Sequence, residues 1–281
     1  MPAKCELEHV AKAICDASDF SYVQFIDAGA FKETYQVYDG EMNHALKVFK
    51  ANNHNERTAR EIDAMRRASC NNVVKLIKVD SIICSSNKYL YLIEEYLSGG
   101  SLGSILKKST ISKPELLSLG SDLICALEAT HKERIVHRDI KPDNIMFRGD
   151  MVDAVLVDFG LVRDLEATSL TQAFHMRGPG TPIYSAPEQL NNQKAMIDWR
   201  TDQFALGITL YESIVGEHPF YAGNSIATVE KIATLKKCND VAVKKIIDLG
   251  LKPLLKMLEP YPIGRYRTPG LLKSEWSKME A

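Results

Sequence analysis

Three polar side chains stand where they could hold a charged substrate. Asn144 and Asp158 offer oxygen atoms, which are the ligands that Mg²⁺ prefers. Lys47 follows Ala45-Leu46 on an apolar strand, where an isolated ammonium group is costly unless an anion pairs with it. Phosphoryl transfer requires a protein to hold metal ions and phosphates in line with an acceptor hydroxyl group and to offset developing negative charge. These residue types therefore suit phosphoryl-transfer chemistry.

The elements around these residues divide the chain into two regions. Strands are predicted at 22–28, 33–39, 44–50, 73–84 and 88–96, and one helix at 56–68. Ser98-Gly99-Gly100-Ser101 breaks this pattern, and the apolar spacing beyond it is mainly helical. The sequence therefore predicts a small lobe of antiparallel sheet and a larger helical lobe that meet at a short hinge. A cleft between two lobes is a common place for a small-molecule site.

A short amphipathic segment precedes the first lobe, with apolar residues on one helical face of 5–17. We therefore expect a helical extension over 1–21, an N-lobe over 22–97 and a C-lobe over 98–281, the two lobes forming a single domain over 22–275.

The bulk composition disfavours several classes of protein. The chain has 281 residues, of which 45% are hydrophobic, and its 35 basic and 36 acidic residues give a net charge of -1, so no overall field favours nucleic acid or anionic lipid. Its six cysteines lack the spacing of a metal site or a disulfide framework. No signal peptide or membrane span is evident. We expect a cytoplasmic protein that binds neither nucleic acid nor membrane, and the sequence does not indicate its oligomeric state.

Three motifs occur in the order that one family uses. They are His137-Arg138-Asp139 with Asn144 five residues after the Asp, then Asp158-Phe159-Gly160, then Ala186-Pro187-Glu188. From about residue 22 to 270 the chain resembles the eukaryotic-type (Hanks-type) Ser/Thr protein kinase family. The resemblance implies an α+β, bilobal fold and transfer of the γ-phosphate of ATP to Ser/Thr hydroxyl groups of protein substrates. It also implies ATP and Mg²⁺ as cofactors, with Mn²⁺ as an alternative metal.

The resemblance gives the catalytic residues their roles. Asp139 accepts or orients the proton of the attacking hydroxyl group, and Asn144 and Asp158 hold the metal ions that bridge the ATP phosphates. Lys141 contacts the transferring phosphate, and Thr181 hydrogen-bonds to the catalytic Asp and Lys. Lys141 and Thr181 are typical of Ser/Thr-specific members.

The resemblance also implies that a glutamate of the predicted helix holds Lys47 against the α and β phosphates. Glu61 is the favoured partner because apolar residues beside it supply an inward face, and Glu56 and Asp63 compete for the role. Glu94 aligns with the family's gatekeeper position, where a carboxylate is unusual. It either finds a hydrogen-bond donor at the back of the cleft or points elsewhere, and an alignment shifted by one residue is an alternative.

The phosphate-covering hairpin departs from the family's Gly-x-Gly-x-x-Gly pattern, because residues 26–34 keep only the central glycine, Gly29. Asp27 adds negative charge, whereas Lys32 restores attraction if its side chain reaches the β or γ phosphate. We therefore expect a working lid with altered nucleotide affinity. Predicted ATP contacts are Ile26, Gly29, Phe31, Lys32, Thr34, Ala45, Lys47, Glu61, Glu95, Leu97 and Asp158.

Residues outside the cleft receive regulatory and structural roles from the resemblance. Arg138 is typical of kinases whose activation segment is ordered by a phosphate. The candidate phosphate acceptors are Thr168, Ser169 and Thr171, with Thr171 favoured. Glu188 is expected to pair with a buried Arg265, and Asp202 to support the catalytic loop from below.

Two other functions compete with an active protein kinase. A pseudokinase of the same fold would bind nucleotide without turnover, but such proteins typically lose the equivalents of Lys47, Asp139, Asn144 or Asp158, which are all present. A small-molecule phosphotransferase of related fold is disfavoured, because those families generally lack the Gly-Thr-Pro and Ala-Pro-Glu segment.

Overall fold

The structure is a computed structural model that describes residues 5–29, 31–50, 56–159, 163–164 and 182–279, without the side chains of 56–58, 60, 61, 163 and 164. Its helices are α1 (Glu8–Asp16), α2 (Glu56–Arg67), α3 (Leu102–Leu106), α4 (Lys113–Lys132), α5 (Pro187–Leu190), α6 (Trp199–Val215), α7 (Ser225–Ala233), α8 (Asp240–Asp248), α9 (Pro253–Met257) and α10 (Pro269–Ser277). Its strands are β1 (Ser21–Ala28), β2 (Lys32–Tyr38), β3 (Asn43–Phe49), β4 (Leu76–Cys84), β5 (Asn87–Glu95), β6 (Ile135–Val136), β7 (Ile145–Gly149), β8 (Val152–Leu156) and β9 (Arg163–Asp164).

The first five strands form one antiparallel sheet in the order β1-β2-β3-β5-β4. Because side chains alternate along a strand, the sheet has two different faces. One face, which carries Leu92, joins the main core with α2. The other carries Leu46 and is covered by α1, whose buried Val10 and Ile14 pack in a second apolar cluster. The sheet is therefore covered on both faces.

The second lobe is built around α4 and α6. A capping box starts α4, because the Ser112 side chain accepts from the backbone N–H of Glu115 while the Glu115 carboxylate accepts from that of Ser112. Its contact with α10 depends on a glycine, since a Cβ atom added to Gly120 would clash with the indole ring of Trp276. Along α6 most residues are buried, as expected for a helix at the centre of a domain.

Hydrogen bonds across the lobe junction hold β8. Val74 N–H donates to the carbonyl oxygen of Leu156 at 3.1 Å, and Leu156 N–H donates to that of Asn72 at 2.9 Å. The strand predicted at 73–84 therefore begins later, at Leu76, because residues before it bond to the second lobe. These contacts fix the strand that leads to Asp158.

The five-stranded antiparallel sheet and the helical second lobe confirm the α+β, bilobal fold that the sequence predicts. Among the described helices, none combines the length and apolar character needed to cross a membrane.

Candidate active site

A buried acid of α6 holds the backbone of the predicted catalytic loop. Asp202 accepts hydrogen bonds from the backbone N–H groups of His137 and Arg138, each at 2.7 Å. Arg138 has a φ of 68°, a left-handed conformation that costs a non-glycine residue about 1–2 kcal/mol. Burial raises the pKa of Asp202 to about 7, although the two N–H donors favour its ionised form. The paired hydrogen bonds stabilise the turn that positions Asp139.

His137 connects the catalytic loop to the segment that ends in Asp158. Its Nδ1 accepts a hydrogen bond from the backbone N–H of Asp139 at 3.3 Å, and its Nε2 lies 3.1 Å from the carbonyl oxygen of Val157. Burial lowers the pKa of His137, and a neutral ring with its proton on Nε2 satisfies both contacts. The sequence predicted no separate role for His137. Its place two residues before Asp139 was the signal that could have indicated a contact with the catalytic loop.

Asp139 receives two hydrogen bonds on one carboxylate oxygen. Lys141 Nζ lies 2.8 Å from Oδ2, and Asn144 Nδ2 lies 2.9 Å from the same atom. Within the described part of the chain, Oδ1 of Asp139 makes no hydrogen bond, and 28% of the side chain is exposed. Oδ1 is therefore the oxygen that can accept a proton from an incoming hydroxyl group.

Asp158, a predicted metal ligand, lies opposite a lysine of the β1–β2 hairpin. Lys32 Nζ is 3.0 Å from Oδ1 of Asp158, whose side chain is 40% exposed. Partial burial of the carboxylate favours a raised pKa, but the charges of Lys32 and Lys47 outweigh this effect and hold the pKa of Asp158 below its usual value. The carboxylate is therefore ionised at neutral pH.

Asp158 and Asn144 form a donor set that fits a hard divalent cation. Asn144 is 7% exposed, and its amide nitrogen is bound to Asp139, which leaves the amide oxygen as the potential ligand. Mg²⁺ is commonly bound by one or two protein carboxylates together with substrate phosphates and water. These two residues could hold a metal–nucleotide complex, with Lys32 beside it.

Lys47 forms an ion pair with Glu94 on the neighbouring strand. Its Nζ lies 2.6 Å from Oε2 of Glu94, and the two side chains are 11% and 2% exposed. Ala45 pairs with Glu94 in the β3–β5 ladder, so Lys47, two residues further on, shares a face with Glu94. Glu94 therefore finds a donor, which the sequence left open. The side chain of Glu61, the predicted partner of Lys47, lies outside the described part of the chain.

The predicted hinge is tied to the second lobe by a bidentate ion pair. Arg148 on β7 donates through Nε and Nη2 to the two carboxylate oxygens of Glu95, each at 2.9 Å. Leu97 is buried two residues further on. Sequence reasoning missed Arg148, because nothing local to it indicates a partner about 50 residues away.

The hairpin over the predicted phosphate site closes through Gly29, whose N–H donates to the carbonyl oxygen of Lys32 at 2.8 Å. Ile26 and Phe31 are exposed on this hairpin, and Thr34 lies opposite the middle of β3. Lys32 is a hairpin residue whose side chain reaches Asp158, and its attraction for a phosphate stays a prediction.

Two contacts behind the site have a structural character. Arg265 donates through Nη1 and Nη2 to the two carboxylate oxygens of Glu188 at 2.7 and 3.0 Å, and both side chains are buried. Gln189 Nε2 donates to the carbonyl oxygen of Arg138 at 2.8 Å. The start of α5 is thereby joined to the catalytic loop. Thr181 and the candidate phosphate acceptors Thr168, Ser169 and Thr171 lie outside the described residues, and their roles stay predictions.

Comparison with known proteins agrees with this arrangement. The family model described as "Protein kinase domain" matches residues 20–277. A probable serine/threonine-protein kinase of Clostridium perfringens is 30% identical over 89% of this chain and 36% of its own length. A serine/threonine-protein kinase of Caenorhabditis elegans is 32% identical over 77% of this chain and 46% of its own. A Rho-associated protein kinase of Caenorhabditis briggsae is 29% identical over 89% of this chain and 21% of its own.

The chain thus spans less than half of the length of each of these relatives. Because the family model covers almost all of the chain, the chain belongs to the protein kinase family.

Proposed function

We propose that this protein transfers the γ-phosphate of ATP to Ser or Thr hydroxyl groups of protein substrates. The observation that carries the proposal is Asp139, whose Oδ2 is bound by Lys141 and Asn144 while Oδ1 makes no hydrogen bond in the described part of the chain. The similarity to kinases named as serine/threonine-specific supports the choice of acceptor.

Each residue then has a separate task. Asp139 orients the acceptor hydroxyl group through Oδ1 and takes up its proton. Lys141, whose Nζ lies 2.8 Å from Oδ2 of Asp139, offsets negative charge on the phosphoryl group during transfer. Asn144 and Asp158 would hold the metal ion, and Lys32 and Lys47 contribute positive charge beside it. ATP would supply the phosphoryl group, and the metal ion would screen its charge.

The finer points of the proposal concern the metal, control and location. Two protein oxygen ligands with room for phosphate and water suit Mg²⁺, and Mn²⁺ is the alternative. The basic side chain of Arg138 is proposed to bind a phosphate on Thr168, Ser169 or Thr171 after autophosphorylation. A single kinase domain over 22–275, preceded by a helical extension, and a cytoplasmic location complete the proposal.

The test is transfer of labelled γ-phosphate to a generic protein substrate in the presence of Mg²⁺. Asp139→Ala should lower the rate by roughly 10² to 10⁴-fold, the range for loss of a general base. Asp150→Asn, at an exposed position of the β7–β8 turn, is the matched control and should keep the wild-type rate. Equal, negligible transfer by wild type and Asp139→Ala, with ATP still bound, would replace the proposal with a nucleotide-binding scaffold.

A further inference from the structure

The ion pair between Lys47 and Glu94 is well buried and short. Only 11% and 2% of the two side chains are exposed, and Nζ and Oε2 are 2.6 Å apart. Removing one member of such a pair leaves an uncompensated charge in a low-dielectric setting, so each residue depends on the other. Among the described residues, the second carboxylate oxygen of Glu94, Oε1, has no hydrogen-bond partner. Lys47 is therefore the principal contact that stabilises the ionised Glu94.

The pair is built into the sheet rather than between the sheet and a helix. Ala45 faces Glu94 and Leu92 faces Lys47 across the β3–β5 ladder, which makes Lys47 and Glu94 diagonal neighbours on one face. Both strands are interior strands of the sheet, with β2 and β4 on their outer sides. The relative position of the two side chains is thus set by backbone hydrogen bonds and does not require a particular placement of α2.

Lys47 also remains close to the metal ligand while it is bound to Glu94. Its charge acts on the Asp158 carboxylate together with that of Lys32, whose ammonium group lies 3.0 Å from Oδ1 of Asp158. Glu94 therefore holds the ammonium group within electrostatic reach of the phosphate site and does not draw it out of the cleft.

We propose that Glu94 is the positioning residue of Lys47, acting from strand β5 and holding the ammonium group ready for the phosphates of ATP. The proposal deepens the proposed function, on which it rests for the identity of the ligand. It assigns to the residue before the hinge the task that the family resemblance gives to Glu61.

The test is a double-mutant cycle read out as Mg²⁺–ATP affinity by titration calorimetry, which needs no turnover. Glu94→Gln keeps the size of the side chain and removes its charge. In the wild-type background it should weaken ATP binding about tenfold, the factor expected when one charge-assisted contact is lost. In a Lys47→Met background the same substitution should change the affinity by less than about twofold, because the group it positions is gone.

Three further variants sharpen the result. Glu94→Met, which fills the site with an apolar side chain, should behave as Glu94→Gln does. Glu61→Gln should weaken ATP binding less than Glu94→Gln does. Asp80→Asn removes an exposed ion pair within β4, where Lys78 Nζ lies 3.1 Å from Asp80, and it should leave the affinity unchanged. Melting temperatures without nucleotide identify any variant that fails to fold, and the cycle then relies on the other Glu94 substitution.

Several outcomes would overturn the proposal. Equal losses in the wild-type and Lys47→Met backgrounds would show that Glu94 acts on the fold and not through Lys47. Unchanged or tighter ATP binding in Glu94→Gln, or a larger loss in Glu61→Gln, would also refute it. If the wild-type protein itself fails to bind Mg²⁺–ATP, the proposed function is refuted together with this proposal. The outcomes above concern only the variants, so they refute the role of Glu94 alone.

Discussion

Glu188 and Arg265 form a buried ion pair that contributes to the stability of this domain. Their two hydrogen bonds lie behind the catalytic loop, and both side chains are fully or almost fully buried. Thr201 also donates to Glu188, at 2.9 Å. Burial lowers the pKa of the Arg265 guanidinium group, and the charge of Glu188 opposes that shift. The carboxylate therefore stabilises a charge that would otherwise be unpaired inside the protein.

Glu188→Gln should lower the free energy of unfolding by about 3–5 kcal/mol, because it leaves the Arg265 charge buried without its partner. Urea denaturation measures the loss. Glu128→Gln is the matched control, since its ion pair with Lys273 lies on the surface with both side chains about half exposed, and it should cost less than about 1 kcal/mol. Losses of the same small size in both variants would contradict a stabilising role for the buried pair.

At the residue scale, the catalytic loop was predictable and the partner of Lys47 was not. The chemistry of Asp139, Asn144 and Asp158 restricts residue type and spacing within a short stretch, so the sequence displays it. The contact between Lys47 and Glu94 depends on the register of two strands about 45 residues apart, which no local pattern specifies. Its sequence signal was a carboxylate directly after the apolar residues Leu92 and Ile93 of β5.

At the scale of elements, α1 is attached to the hairpin strand that carries Lys32. Glu33, the next residue along β2, is fully buried. Its carboxylate accepts hydrogen bonds from the backbone N–H groups of Glu6 and Leu7, just before α1, each at 3.0 Å. The hydroxyl group of Tyr35 donates to the same carboxylate at 2.5 Å. The amphipathic spacing of 5–17 predicted the helix, but it could not reveal which surface the apolar face covers, because that depends on the packed sheet.

Glu33→Ala should therefore weaken the attachment of α1. It should lower the free energy of unfolding by about 1–3 kcal/mol for each backbone N–H group that loses its acceptor and gains no water in its place. Hydrogen exchange of the α1 amides, together with urea denaturation, measures the effect. Glu41→Ala, at an exposed position of the β2–β3 turn, is the control. Protection of α1 that is the same in both variants would show that the apolar contacts alone hold the helix.

At the scale of the whole molecule, the two lobes are joined beside the site by backbone and side-chain contacts. Asn72 Nδ2 donates to the carbonyl oxygen of Ala154 at 3.0 Å, and Arg148 binds Glu95 across the hinge. The bilobal architecture was predictable because strand-like and helical spacing separate cleanly near residue 97. The junction contacts were not, since each joins residues far apart in the sequence.

The most direct test of the proposed function is to identify the amino acid that receives phosphate. Wild-type protein is incubated with Mg²⁺ and ATP labelled in the γ-phosphate, together with a peptide mixture that contains Ser, Thr and Tyr acceptors, and labelled sites are located by mass spectrometry. The proposed function predicts label on Ser and Thr only, and the loss of that label in Asp139→Asn. Label confined to Tyr, or full labelling by Asp139→Asn, would contradict it.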